Sequence, residues 1–128
     1  MANNERGTSL MLVAPGTDEQ FEAERKRCGA LTALYERLNN GHERRLLPSM
    51  LAQWKAGLKN RKHPDYGEPV VVLEVLSPPL IDASFESGSA YFREPLGIVV
   101  GLLDDDFGLS AMYADARRFE PYAGPGAS

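Results

Sequence analysis

Several groups of residues in this chain have types and spacings that could do chemistry. Asp104-Asp105-Asp106 concentrates three carboxylates, the hard oxygen donors that Mg²⁺ or Ca²⁺ prefers. A calcium loop of the EF-hand kind needs ligands at alternate positions and a Glu at its twelfth. Counted from Asp104 that place falls on Asp115, the corresponding place from Asp106 is Arg117, and the residues between are strand-like. The pattern favours a solvated turn over a metal site. His42, His63 and Cys28 are the remaining soft donors, and no two of them have zinc-ligand spacing. Cys28 with a histidine could act as an activated nucleophile only if the fold happened to join them. Packing of Cys28 in a core or interface is the simpler reading. Ser87-Gly88-Ser89 lacks the G-x-S-x-G elbow, and no glycine-rich phosphate loop is present. No catalytic residues, metal ligands or cofactor are therefore assigned, and the expectation is a protein that is not an enzyme.

Binding chemistry is better represented. Lys55, Lys59, Arg61 and Lys62 crowd one segment, with Trp54 before them and Tyr66 after. Cations that neutralise phosphates, interleaved with aromatics that stack on bases, are the composition of a nucleic-acid surface. Protein interfaces are enriched in Trp, Tyr and Arg as well. A solvated loop with Trp54 in the core is the third reading. Tyr91, Phe92 and Arg93 form a second cluster, at the mouth of an apolar run; they could line a groove, or Phe92 could belong to the core. A third candidate is an apolar seam of Phe21, Cys28, Leu31, Tyr35 and Leu38 at helical spacing, with Glu24 its polar exception and Leu34 widening it.

The elements that must carry these groups follow from pattern and turn chemistry. Met1 to Gly16 is polar and unperiodic and reads as a mobile tail, with Leu10 to Val13 too short to assign. Thr17 to Asn40 reads as a helix. Thr17-x-x-Gln20 is a capping box, Asp18 and Glu19 suit the positive end of the helix dipole, and Asn39-Asn40-Gly41 supplies a left-handed terminator. Gly29 inside it either permits a close backbone approach or is a tolerated surface glycine. Ser49 to Asn60 admits two readings, a helix after Pro48 or a strand at Met50–Lys55; the second is preferred, because the strand that follows needs a partner.

Three short apolar runs come next, Pro69–Leu76, Leu96–Asp104 and Leu109–Ala114, the first two rich in Val and Ile. Asp104 to Gly108 is a hairpin turn in which Gly108 is available for φ > 0. Leu76 to Glu94 is a long excursion rich in Pro, Ser and Gly. Asp115-Ala116-Arg117 turns into a last strand, Arg118–Tyr122. The expected core is Val70, Val72, Leu73, Val75, Ile98, Val100, Leu102, Met112 and Phe119.

In this order of strands, Met50 to Tyr122 resembles the small five-strand antiparallel barrels of the Src-homology-3-like kind, including KOW and Tudor relatives. The resemblance is one of architecture. It implies an α+β protein, an N-terminal helix followed by a barrel that binds peptide, protein or nucleic acid. The expected division is 1–16 tail, 17–47 helix and connector, 48–122 barrel and 123–128 tail.

At 128 residues, with 43% hydrophobic and 25% charged side chains, the chain can bury one ordinary core. The net charge of −4 is unevenly spread: −1 over residues 1–41, +5 over 42–63 and −8 over 64–128. Such a bipolar surface has one patch for anionic partners and a larger one that repels them. The opening residues carry an early acid and no long apolar run, so no secretory leader is expected. No apolar run approaches the length of about 20 residues that crosses a bilayer, and membrane partners are not expected. A lone cysteine fits a reducing cytoplasm. The expected function is an adaptor or inhibitor acting on a protein, either another copy or a different one, through the helix seam and barrel surface. Nucleic-acid binding through residues 55–63 is the alternative, and an enzyme with an unrecognised site the last.

Overall fold

The computed structural model describes residues 17–41 and 45–125. The expected tail 1–16 with its Leu10 to Val13 segment, His42, and residues 126–128 of the C-terminal tail lie outside that range. Within it the protein is α+β, with one helix and a five-strand antiparallel sheet.

Helix α1 spans Asp18–Asn39. The capping box forms as the sequence requires: the Thr17 N–H donates to Gln20 Oε1 at 2.9 Å and the Gln20 N–H to Thr17 Oγ1 at 3.1 Å. Gly41, at φ +89°, lies just beyond the helix end in the left-handed conformation. A Cβ placed on Gly29 would meet nothing within 4 Å, so Gly29 is a surface glycine and not a point of close approach. The chain separates into two compact units whose border falls inside α1, between Ala33 and Leu34, and not at the ends of the helix.

In the second unit the last turns of α1 are tied to the sequence after β1 (Leu51–Trp54). Arg37 Nη1 donates to the Ala56 carbonyl at 2.7 Å. Gly57 has φ +79°, a left-handed conformation that favours glycine, and faces the Leu34 side chain.

Strand β1 confirms the strand reading of Met50–Lys55 over the helical one. β2 spans Val70–Leu80, β3 Leu96–Leu103, β4 Leu109–Ala114, and after a 3₁₀ turn at Ala116–Arg118 comes β5, Phe119–Pro121. The sheet order is β4-β3-β2-β1-β5, with every neighbour antiparallel. Among the described residues no ladder joins β4 to β5, so the sheet has two edges and the closed barrel is not shown. β2 runs to Leu80, beyond the expected Leu76, because Leu80 pairs with Leu96 after a register shift.

The core contains Trp54, Val70, Val72, Ile98, Val100 and Phe119, with Ala52 and Ala114 filling in and Leu102 and Met112 partly buried against it. Trp54 stacks on Phe119 with ring centroids 4.2 Å apart. Two expected core residues are corrected. Leu73 and Val75 are 40% and 45% exposed. The pairing passes from Val72↔Val100 to Glu74↔Val99, leaving Leu73 as an extra residue at a bulge. Leu73 lands on the outer face, where it approaches Gly101 together with Val71 and Leu109. Val75 pairs with the buried Ile98 but lines an open pocket of about 200 Å³.

Candidate functional site

The basic segment separates on folding into interior and surface members. Trp54 is 3% exposed and its Nε1–H donates to the Pro64 carbonyl at 2.7 Å, so it is a core residue with no face left for a base. Lys55 is also interior. Its Nζ donates to the carbonyls of Arg37 at 2.7 Å and Asn40 at 2.9 Å, satisfying acceptors that the helix end leaves open. Burial is the main influence on Lys55 and holds its pKa below the ordinary lysine value, against the opposing pull of Glu120 and Asp115. Both are therefore withdrawn as nucleic-acid contacts. Lys59 lies 5.9 Å from the Tyr66 ring centroid, and the Tyr66 hydroxyl accepts the Lys59 N–H at 3.1 Å. Lys62 and His63 are exposed.

Arg61 is drawn into a site that joins the two long loops. Its guanidinium stands 3.8 Å from the ring centroid of Tyr91, and Tyr91 meets Phe85 edge to face at 5.2 Å. Glu94, 6% exposed, holds the arrangement together. It accepts from Asn60 Nδ2 at 2.8 Å, Arg61 Nη2 at 2.9 Å and Arg118 Nε at 3.1 Å. Arg118 continues to the Leu58 carbonyl at 3.0 Å. Asp115, 2% exposed, caps the 3₁₀ turn by accepting the Arg117 N–H, and also binds the Arg117 side chain at 3.1 and 2.9 Å. That hydrogen bonding raises the Arg117 pKa further above its usual value. A buried carboxylate bound by two guanidiniums is costly to leave half-paired, which fixes the loops to the turn.

This cluster sits beside an open pocket of about 300 Å³ lined by Phe85, Tyr91, Leu96 and Tyr113. Arg61 Nη1 is buried there without a hydrogen-bond partner. Chemically the arrangement is an Arg61–Glu94 ion pair beside aromatic surface, with the Asp82 carboxylate also on the lining. The expected groove residues divide: Tyr91 is half-buried in the pocket, whereas Phe92 is 45% exposed and Arg93 is exposed at φ +51°. The sequence reading missed Phe85, Glu94 and Asp115. Asp115 was legible as the cap before Ala-Arg-Arg, but nothing local marks Glu94 as the group that gathers Arg61 and Arg118.

Along α1 the residues from Asp18 to Thr32 are all exposed, including Cys28. Phe21, Leu31 and Tyr35 of the seam are 57%, 70% and 69% exposed, and Leu38 is half-buried. Asp104 closes its hairpin by accepting N–H bonds from Asp106 at 2.9 Å and Gly108 at 2.7 Å. The positive φ falls on Phe107, at +61°, and not on Gly108 as expected. A Cβ on Gly108 would lie 2.9 Å from Asp104 Oδ2, so the Asp104 carboxylate would have to shift to admit one. Among the described residues no three His, Cys, Asp or Glu side chains gather as metal ligands, and no helix is long and apolar enough to cross a membrane. No family model, no curated protein and no solved structure matches the chain.

Proposed function

We propose that the protein is a non-enzymatic binding module, an adaptor or inhibitor whose α1 seam engages a protein partner in the cytoplasm. The observation that carries this reading is the exposure of Phe21 and Leu31, 57% and 70%, on a seam that Glu24 interrupts, in a helix with no buried residue in its described length. Helical stability in proteins comes mainly from packing of such a face rather than from intrinsic propensity. The local supports of α1 are modest. They are its capping box and the exposed ion pairs Glu22–Arg25 and Glu24–Arg27, the pairs contributing about 0.2–0.5 kcal/mol each. A partner surface supplies the missing packing. The sheet is read as a bent, incompletely closed barrel of the Src-homology-3-like kind, in support of which β1 pairs with β5 and brings the two ends of the strand segment together. Its pocket beside Arg61, Tyr91 and Phe85 is a second contact surface for the same partner class.

Capture from lysate, with and without nuclease, tests this. The wild type is expected to retain a protein partner after nuclease treatment, and a Phe21→Glu, Leu31→Glu variant to lose it while keeping its sheet circular dichroism. The nucleic-acid alternative rests on Lys59, Lys62 and Tyr66 now that Trp54, Lys55 and Arg61 are engaged internally. Capture abolished by nuclease, with a steep salt dependence, would establish that alternative instead.

A further inference from the structure

Among the described residues β4 is an edge of the sheet, hydrogen-bonded to β3 alone. Natural edges are guarded against pairing by charges, prolines or bulges. β4, Leu109-Ser110-Ala111-Met112-Tyr113-Ala114, has no charged residue and no proline, and its register with β3 runs without a shift. The phase of its hydrogen bonds is set by the hairpin. The Asp104 N–H donates to the Gly108 carbonyl at 2.9 Å, making those two a bonded pair. Bonded and non-bonded pairs alternate along an antiparallel ladder. Ser110, Met112 and Ala114 therefore bond to Leu102, Val100 and Ile98, while the N–H and C=O groups of Leu109, Ala111 and Tyr113 point away from the sheet.

We propose that this edge pairs antiparallel with the β4 edge of a second copy of the chain, in a register centred on Ala111. The edge is self-complementary in that register. The small Ala111 falls on the two-fold axis, and Leu109, 67% exposed, comes opposite the second copy's Tyr113, 51% exposed. An aliphatic–aromatic cross-strand pair of this kind is favourable, and the symmetry supplies it twice. Charge selects the same orientation. The exposed Asp105 and Asp106 come alongside the second copy's 3₁₀ turn, whose Arg117 side chain is 38% exposed. That turn belongs to a cluster of Arg61, Arg117 and Arg118 against Glu94 and Asp115, one positive charge in excess. Phe107, 83% exposed and held at φ +61°, stands at this same end of the strand. Its φ is the left-handed value that the last residue of a three-residue hairpin loop adopts, and the hairpin thereby presents the ring to solvent at the end of the edge.

Sedimentation across a concentration series, from micromolar to near-millimolar, tests the pairing. The wild type is expected to pass from monomer to dimer. Ala111→Lys, at an exposed position, sets two like charges on the axis and is expected to give a folded monomer throughout. Asp105→Arg should weaken dimerisation roughly five- to tenfold, as loss of two symmetry-related surface ion pairs. Hydrogen exchange supplies a residue-specific readout: the amides of Leu109, Ala111 and Tyr113 gain protection with rising concentration, while those of Ser110 and Met112 are protected at every concentration. A wild-type monomer at all concentrations overturns the proposal. So does a dimer that survives Ala111→Lys, or one that Leu31→Glu abolishes, which would move self-association to the α1 seam.

Discussion

Lys55 shows how a residue that reads as surface charge becomes part of the frame. Its stem is buried and its ammonium satisfies two carbonyls at the end of α1. Replacing Lys55 with Met leaves those acceptors without their donor and is expected to cost about 1–3 kcal/mol in urea unfolding at neutral pH. The loss should depend on pH. Burial holds the Lys55 pKa below 10.5, so between the folded value and 10.5 the unfolded chain binds more protons. Stability from this residue therefore rises with pH through that window, and the deficit of Lys55→Met relative to wild type should widen on going from neutral to alkaline solution. A deficit that narrows would contradict the direction of the shift. Phe107 carries the opposite kind of cost. At φ +61° it occupies a conformation that Asn tolerates better, and the hairpin bonds around it are made by Asp104 and Gly108. Phe107→Asn is expected to stabilise the dilute protein by about 0.5–1 kcal/mol, read from the urea midpoint.

At the scale of elements, the strand boundaries were largely legible because Val- and Ile-rich runs and the Asp/Gly turn are local signals. Helix α1 was legible for the same reason, its capping box and Gly41 both being short-range. What the sequence did not disclose is the bulge at Leu73. Pro69 to Leu76 is apolar almost throughout, so no alternation marks the place where the register shifts. The site was less legible still. Arg61, the Tyr91–Glu94 segment and Arg118 lie far apart in sequence, and only the fold brings them together. The register makes a paired prediction. Ile98, 1% exposed, should cost roughly 2–4 kcal/mol on truncation to Ala, as a cavity opens between β2 and β4. Leu73→Ala, on the outer face and 40% exposed, should cost clearly less, about 1 kcal/mol, since a large part of the side chain is already in solvent. Equal losses at both would mean that Leu73 is covered and the bulge misplaced.

For the whole molecule, the border at Leu34 has a consequence for what folds alone. The sheet depends on the end of α1 and on the connector. Lys55 bonds to Arg37 and Asn40, Arg37 bonds to Ala56, Leu34 packs at Gly57, and Leu46 lies against the core. A barrel beginning near Pro48, as the resemblance implies, would lack all of these. Its Lys55 would lose both acceptors, and the apolar surface that Leu34 and Leu46 cover would be opened to water. A fragment from Leu34 to the C-terminus is therefore expected to unfold cooperatively in urea with near wild-type midpoint, whereas one beginning at Pro48 should lose several kcal/mol or fail to fold. The first fragment also keeps β4 intact, so it should retain concentration-dependent dimerisation while lacking Phe21 and Leu31. If the Pro48 fragment instead matches the longer one in midpoint, the contacts around Lys55 and Leu46 add nothing to the sheet, and α1 serves only its partner.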